Sequence, residues 1–216
     1  MPEEEIKPKV ELYKEPEAGT TMCRILSMSG GGSKGAYEAG ALHSIFHTLE
    51  APHAEYDVIS GVSVGAINSA ATSLFGKGDE KALGDFMLGL WLNLTNEQIW
   101  VWRDTLNPAE PLYDESGYVD DTPLYNLLMG IVNQFNNVAK RLVITTANDV
   151  LTGNQMKYVI RPGQDDVQSA EWRAHIVKAS ASVPFVFSPT SMKDFGQDVL
   201  LMDGGTTWNN NMVAAV

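Results

Sequence analysis

Three short runs carry residues whose types and spacing could do chemistry. Gly61-Val62-Ser63-Val64-Gly65 has the form G-x-S-x-G and lies between an apolar run and a helical run of small residues. A tight turn from strand to helix is the setting in which a serine hydroxyl is exposed as a nucleophile, and flanking glycines let neighbouring backbone approach. The following helix would add unpaired N–H groups and the positive end of its dipole. A plain Gly/Ser turn is the bland alternative, since five residues of this form recur by chance.

The second run, Ser29-Gly30-Gly31-Gly32-Ser33-Lys34-Gly35, also stands between strand and helix. Consecutive glycines can aim several N–H groups at one anionic point, which suits a phosphate cradle or an oxyanion hole. Taken alone it reads equally well as a flexible turn. The phosphate-loop pattern closes on Gly-Lys-Ser/Thr, whereas this loop closes on Ser33-Lys34-Gly35. Nor does a G-x-G-x-x-G spacing with a fitting acidic partner appear. The third run, Met202-Asp203-Gly204-Gly205, ends an apolar stretch. A carboxylate at the carboxyl end of a strand stands where ligands of α/β sheets bind, although an Asp-Gly turn would explain it by itself.

Positioning these runs requires a sheet. Residues 23–28, 56–59, 141–147 and 199–202 read as buried strands, with 156–160 a further one. Helical spacing covers 36–49, 64–75 and 170–181, the last broken by Pro184. Residues 76–137 are less regular, with amphipathic pieces at 85–94 and 122–135. Strands alternating with helices argue for an α/β layered fold with a largely parallel sheet. Residues 1–21 mix Glu, Lys and Pro without periodicity and are expected to form an extended or disordered leader to a domain over 22–216.

Composition agrees with one globular domain: 44% of the 216 residues are hydrophobic and 19% charged, which excludes a disordered tail or a coiled coil. The net charge of −12 argues against nucleic acid as a partner and gives no pull toward anionic headgroups. A single cysteine, Cys23, supports neither an internal disulfide nor a cysteine zinc site. With an acidic N-terminus and no apolar run of ~18 residues, the expectation is a cytoplasmic protein, at most peripheral at membranes.

In their order along the chain, the three runs resemble the patatin-like phospholipase family, recognised by a G-G-G-x-[K/R]-G loop, a G-x-S-x-G serine and a D-G-G/A aspartate. Ala179-Ser180-Ala181-Ser182-Val183-Pro184-Phe185 is similar to that family's A-S-x-A/S-x-P segment. The resemblance covers roughly residues 23–211 and implies a three-layer fold with a central, mostly parallel sheet flanked by helices. It implies a dyad without histidine, in which Ser63 is the nucleophile and Asp203 accepts its proton. The N–H groups of Gly31 and Gly32, together with Gly30, would form the oxyanion hole. Lys34 matches the family's basic position, and Gly35, Gly61, Gly65, Gly204 and Gly205 would support the motifs. The implied reaction is hydrolysis of fatty-acyl esters of phospholipids or neutral lipids through an acyl-enzyme. Substrate would be met at a membrane or droplet surface, with no metal or organic cofactor. One departure is visible: the family continues past its aspartate toward Asn-x-Pro and further helices, whereas this chain reads Thr206-Thr207-Trp208-Asn209-Asn210-Asn211 and stops at Val216. A compact domain and a fragment both fit that ending.

Other readings compete. A Ser…Asp…His triad has only His175 after the serine, inside a helical run. His43 and His47 stand at i and i+4 as a metal pair would, but no acidic residue accompanies them at a general-base spacing, so a structural role is expected. Trp91, Trp100 and Trp102, with Phe86, Met87 and Leu90, suit a lid or lipid-facing surface or ordinary core packing. An inactive member that binds lipid or a partner is the remaining alternative.

Overall fold

The computed structural model describes residues 22–51, 53–103, 117–134, 138–165, 167–194 and 196–215. The leader expected at residues 1–21 lies outside them. The strands are β1 (Ile25–Met28), β2 (Val58–Gly61), β3 (Val101–Trp102), β4 (Val119–Asp120), β5 (Leu142–Asp149), β6 (Gln155–Ile160), β7 (Thr190–Asp194) and β8 (Gln197–Asp203). The α-helices are α1 (Gly35–Thr48), α2 (Val64–Ser73), α3 (Glu80–Asn93), α4 (Thr122–Val132), α5 (Ala170–Ala181) and α6 (Met212–Ala215). Among the described residues no helix is long and apolar enough to cross a membrane.

Among the described residues six strands form the central sheet, in the order β1-β2-β5-β8-β7 with β6 also on β5; β3 and β4 pair separately. β1, β2 and β5 are parallel, β6 and β8 join β5 antiparallel, and β7 is antiparallel to β8. Four of the six therefore run one way, as the α/β pattern predicts, and the other two run against them.

One detail of register decides the site. β2 pairs with β5 over residues 142–145, β8 pairs with it over 147–149, and β6 covers 143–148. A strand has only two hydrogen-bonding edges, so β6 takes one and β2 and β8 share the other. The two meet head-on: β2 ends with Gly61 opposite Thr145, and β8 ends with Asp203 opposite Ala147. The carboxyl ends of two strands far apart in sequence thus face each other across a short gap.

The core follows from residue type. β2 is buried throughout, and α2 is buried at all ten positions, six of them Gly, Ala or Ser. Such small side chains let a helix be enclosed on every side; α2 packs against β2, β5 and α5, and also touches α1, α3 and α4. Ile59, Leu74, Leu83, Met87, Leu128, Ile176 and Leu201 fill the apolar interior. Buried charges are paired: Arg141 with Glu80 at 2.8 Å and Lys178 with Asp121 at 2.8 Å.

Candidate active site

Between β2 and α2 the chain turns sharply at Ser63, whose backbone sits at φ 57°, ψ −127°. A non-glycine residue held there costs on the order of 1–3 kcal/mol, so surrounding bonds must impose it. They are present: the Ser63 N–H donates to Ser180 Oγ of α5 at 3.0 Å, and Ala66 N–H donates to the Ser63 carbonyl at 2.9 Å. The flanking glycines are required by contact. A Cβ on Gly61 would strike the Gly65 carbonyl and Ser69 Oγ, and one on Gly65 would strike the Met28 carbonyl at the end of β1.

Across the gap, Asp203 arrives on β8. Its Oδ2 accepts from Ser63 Oγ at 2.6 Å, between residues 140 positions apart. Its Oδ1 accepts from the Gly205 N–H at 2.7 Å, so both oxygens are engaged and the carboxyl cannot swing. The Asp203 N–H donates to the Ser182 carbonyl, and Asn148 Nδ2 donates to the Asp203 carbonyl. Gly204 passes so close to the Thr146 carbonyl that a side chain would not fit. Burial disfavours the charged carboxylate and raises the Asp203 pKa above its ordinary 3.8, against the smaller opposing pull of the Ser63 and Gly205 bonds.

The glycine run leaves β1 and makes one 3-10 turn, Gly32–Lys34, before α1. Gly30 is bonded on both sides to one residue: its N–H donates to the Asn209 carbonyl at 3.4 Å, and its carbonyl accepts from Asn209 Nδ2 at 3.1 Å. A Cβ on Gly30 would lie 2.9 Å from the Ser63 Cβ, which sets the loop directly beside the serine. Gly31 and Gly32 N–H groups make no hydrogen bond among the described residues. Of the three glycines expected to hold an oxyanion, these two have donors to offer and Gly30 has committed its own. Gly35 is buried where a side chain would collide with Val64 and the Trp91 ring. Lys34 is exposed and has no ion pair among the described residues.

Beside Ser63 opens a cavity of ≈ 410 Å³, within the ~300–1,000 Å³ of small-molecule sites. Gly32 and Ser63 line it, and Ile67, Trp91, Ile99, Trp100, Leu124 and Phe187 supply apolar wall. The aromatic cluster expected as either lid or core divides between roles. Trp91 and Trp100 line the cavity, Met87 is fully buried, and Trp102 is exposed with its ring edge-on to Trp100.

Several supporting residues are not legible as such in the sequence. Glu38 Oε1 accepts from the Ser29 N–H at 3.1 Å and its Oε2 accepts from Asn68 Nδ2 at 3.0 Å; Asn68 Oδ1 accepts from Trp91 Nε1 at 2.8 Å. This chain ties the glycine loop to α2 and to the cavity wall. Its only sequence signal is polar residues within otherwise apolar helices. Ser180 lies in the quoted Ala-Ser-Ala-Ser segment but has no assigned role there. Asn211, buried, donates from Nδ2 to the Gly61 and Ile144 carbonyls at 3.4 Å each, and its Oδ1 accepts from Thr146 Oγ1. The run Asn209-Asn210-Asn211 thus returns to the loop just after β1, to the end of β2 and to the middle of β5. His175 takes no part: its Nδ1 is bonded to the Glu171 carbonyl at 2.8 Å and its ring lies against Tyr125.

A family model described as patatin-like phospholipase matches residues 26–216. The cUMP-AMP-activated phospholipase of Escherichia coli is 29% identical over 198 residues, which are 90% of this chain and 58% of that protein. The chain therefore spans less than two thirds of that relative's length. Among solved structures, VipD from Legionella pneumophila aligns at 13% identity and a TM-score of 0.46, covering 91% of this chain and 49% of that one.

Proposed function

The chain belongs to the patatin-like phospholipase family, and from that premise we propose that it is a serine acyl hydrolase cleaving fatty-acyl esters of phospholipids or neutral lipids. The observation that carries this reading is the 2.6 Å contact of Ser63 Oγ with a buried Asp203, on a strained turn that lines a mostly apolar cavity. The acyl chain lies against Trp91, Ile99 and Leu124, and its carbonyl carbon faces Ser63. As Oγ attacks, its proton passes to Asp203 Oδ2, and the carbonyl oxygen becomes an oxyanion met by the Gly31 and Gly32 N–H groups. Collapse expels the alcohol or lysolipid, which takes the proton back from Asp203. Water then attacks the acyl-enzyme with Asp203 as base, releasing fatty acid and restoring Ser63.

Raised pKa suits the carboxyl to this work, since a base poised nearer neutrality both accepts and returns a proton. The test is labelling by a fluorophosphonate probe beside product analysis on a mixed lipid panel. Wild type is expected to label at Ser63 and release fatty acid, and Ser63→Ala to do neither. Unlabelled wild type that still binds lipid would leave a binding protein instead. Asp203→Asn is expected to lower turnover by about 10²–10⁴-fold with the fold intact; near-normal turnover would remove the aspartate from the mechanism.

A further inference from the structure

α1 and α3 lie side by side, and across their seam stands a group of side chains for which ester hydrolysis has no use. His43 and His47, one turn apart on α1, stack with ring centroids 4.2 Å apart and 28° between planes. Asp85 of α3 brings one oxygen, Oδ1, to 3.1 Å from His43 Nε2 and 3.3 Å from His47 Nε2. Forty-two residues separate Asp85 from His43, so no local spacing in the sequence shows the three together.

Hydrogen placement fixes which ring nitrogen of His47 faces the carboxylate. His47 Nδ1 lies 2.9 Å from the His43 carbonyl, which can only accept, so Nδ1 carries the hydrogen. That leaves His47 Nε2 as the ring nitrogen facing the Asp85 carboxylate, 3.3 Å away.

The spacing admits a shared cation, with all three ligand atoms within 4.8 Å of one another. Bonds of ~2.0–2.1 Å to imidazole nitrogen and carboxylate oxygen put tetrahedral ligands ~3.3–3.4 Å apart, and the two measured separations fall at or just under that. An Nδ1–H bonded to a backbone carbonyl is also the contact that orients a metal-binding imidazole through its other nitrogen. Two imidazoles and one carboxylate suit ions of the zinc type rather than magnesium or calcium, which take oxygen. We propose that His43, His47 and Asp85 bind a divalent transition-metal ion such as Zn²⁺, with solvent completing the shell. The ion ties α1, which begins at Gly35 of the glycine loop, to α3, which carries Trp91 into the cavity wall.

Calorimetric titration of Zn²⁺ into the chelator-treated full chain tests this, with thermal melting as second readout. One ion per chain is expected, with Tm raised by about 5–10 °C at a hundredfold excess over Kd. Asp85→Asn should bind at least about tenfold more weakly, and His43→Gln/His47→Gln should lose the site. All three side chains are partly exposed, so the metal-free variants should melt near wild type, which separates lost binding from lost fold. Co²⁺ in place of Zn²⁺ should give visible absorption bands in wild type only. No saturable Zn²⁺ binding by wild type, or wild-type affinity in the double histidine variant, would overturn the proposal. None of these measurements reads lipid hydrolysis, so the outcome is independent of the function proposed above.

Discussion

Ser63 and Asp203 each hold a state that a free residue would avoid, and each should leave a measurable trace. At φ 57°, Ser63 is strained wherever the side chain has a Cβ. Ser63→Ala and Ser63→Gly both remove the hydroxyl and its bond to Asp203, so their difference isolates the backbone. Glycine adds freedom to the unfolded chain, which costs about 0.4–1 kcal/mol, but relief of ~1–3 kcal/mol of strain outweighs it. Chemical denaturation should therefore find Ser63→Gly more stable than Ser63→Ala by about 1 kcal/mol; equal stability would mean that the turn stores no strain. For Asp203 the trace is in pH. Its pKa is raised by burial, so the folded state holds the proton more tightly than the unfolded state does. The sign follows: this group's contribution favours folding below its ordinary 3.8 and is lost as pH rises through the higher folded value. If Asp203 is the base as proposed, activity runs the other way, because only its ionised form can accept the Ser63 proton. The acid limb of kcat/KM should lie above the ordinary carboxylate range, and a limb at or below 3.8 would mean that burial does not tune this group.

At the scale of elements, glycines separate what is demanded by packing from what is only tolerated. Gly65 opens α2 against the Met28 carbonyl, a backbone atom that cannot step aside, so Gly65→Ala should cost about 1–3 kcal/mol and move the serine turn. Gly40, inside α1, faces open space, and Gly40→Ala should stabilise by up to about 1 kcal/mol through helix propensity. Paired denaturation curves check both, and the same sign for the two would sink the distinction. Elements whose signals are local were legible in the sequence. α5 runs over residues 170–181 as its spacing predicts, with Ser169 accepting from the Trp172 N–H at its start and Pro184 just beyond its end. β2 and the helix after the serine follow from an apolar run meeting glycine. Alternation with helices made the mostly parallel sheet legible, but not which strands would run against it, β6 and β8, because apolar content carries no sign. The antiparallel entry of β8, which brings Asp203 to Ser63, uses the stretch of the β5 edge that β2 leaves free beyond Thr145. β7, Thr190-Ser191-Met192-Lys193-Asp194, is too polar to announce itself and is ordered by pairing with β8. Asn211 and the Glu38–Asn68–Trp91 chain escape for a related reason: a polar residue declares its partner only once the fold has brought the partner near.

The whole molecule adds a field that no single element carries. Fifteen basic residues against 27 acidic ones leave −12, and some of the basic groups, Arg141, Arg173 and Lys178, lie inside the fold beside Glu80, Asp165 and Asp121. A bilayer bearing anionic lipid therefore repels the protein as a body, while Lys34, exposed on the glycine loop, offers one local charge of the opposite sign. Distance decides between them. At about 10 mM salt the screening length is ~30 Å, wide enough for the summed surface to act; at about 100 mM it falls to ~10 Å and only groups near the contact remain. If the chain works on vesicles as proposed, hydrolysis of anionic vesicles should speed up several-fold across that range. Vesicles of zwitterionic lipid should change little, because they present no net charge to repel. A rate on anionic vesicles that falls with added salt would reverse the ranking and make attraction at the glycine loop, rather than the net charge, the governing term at the surface.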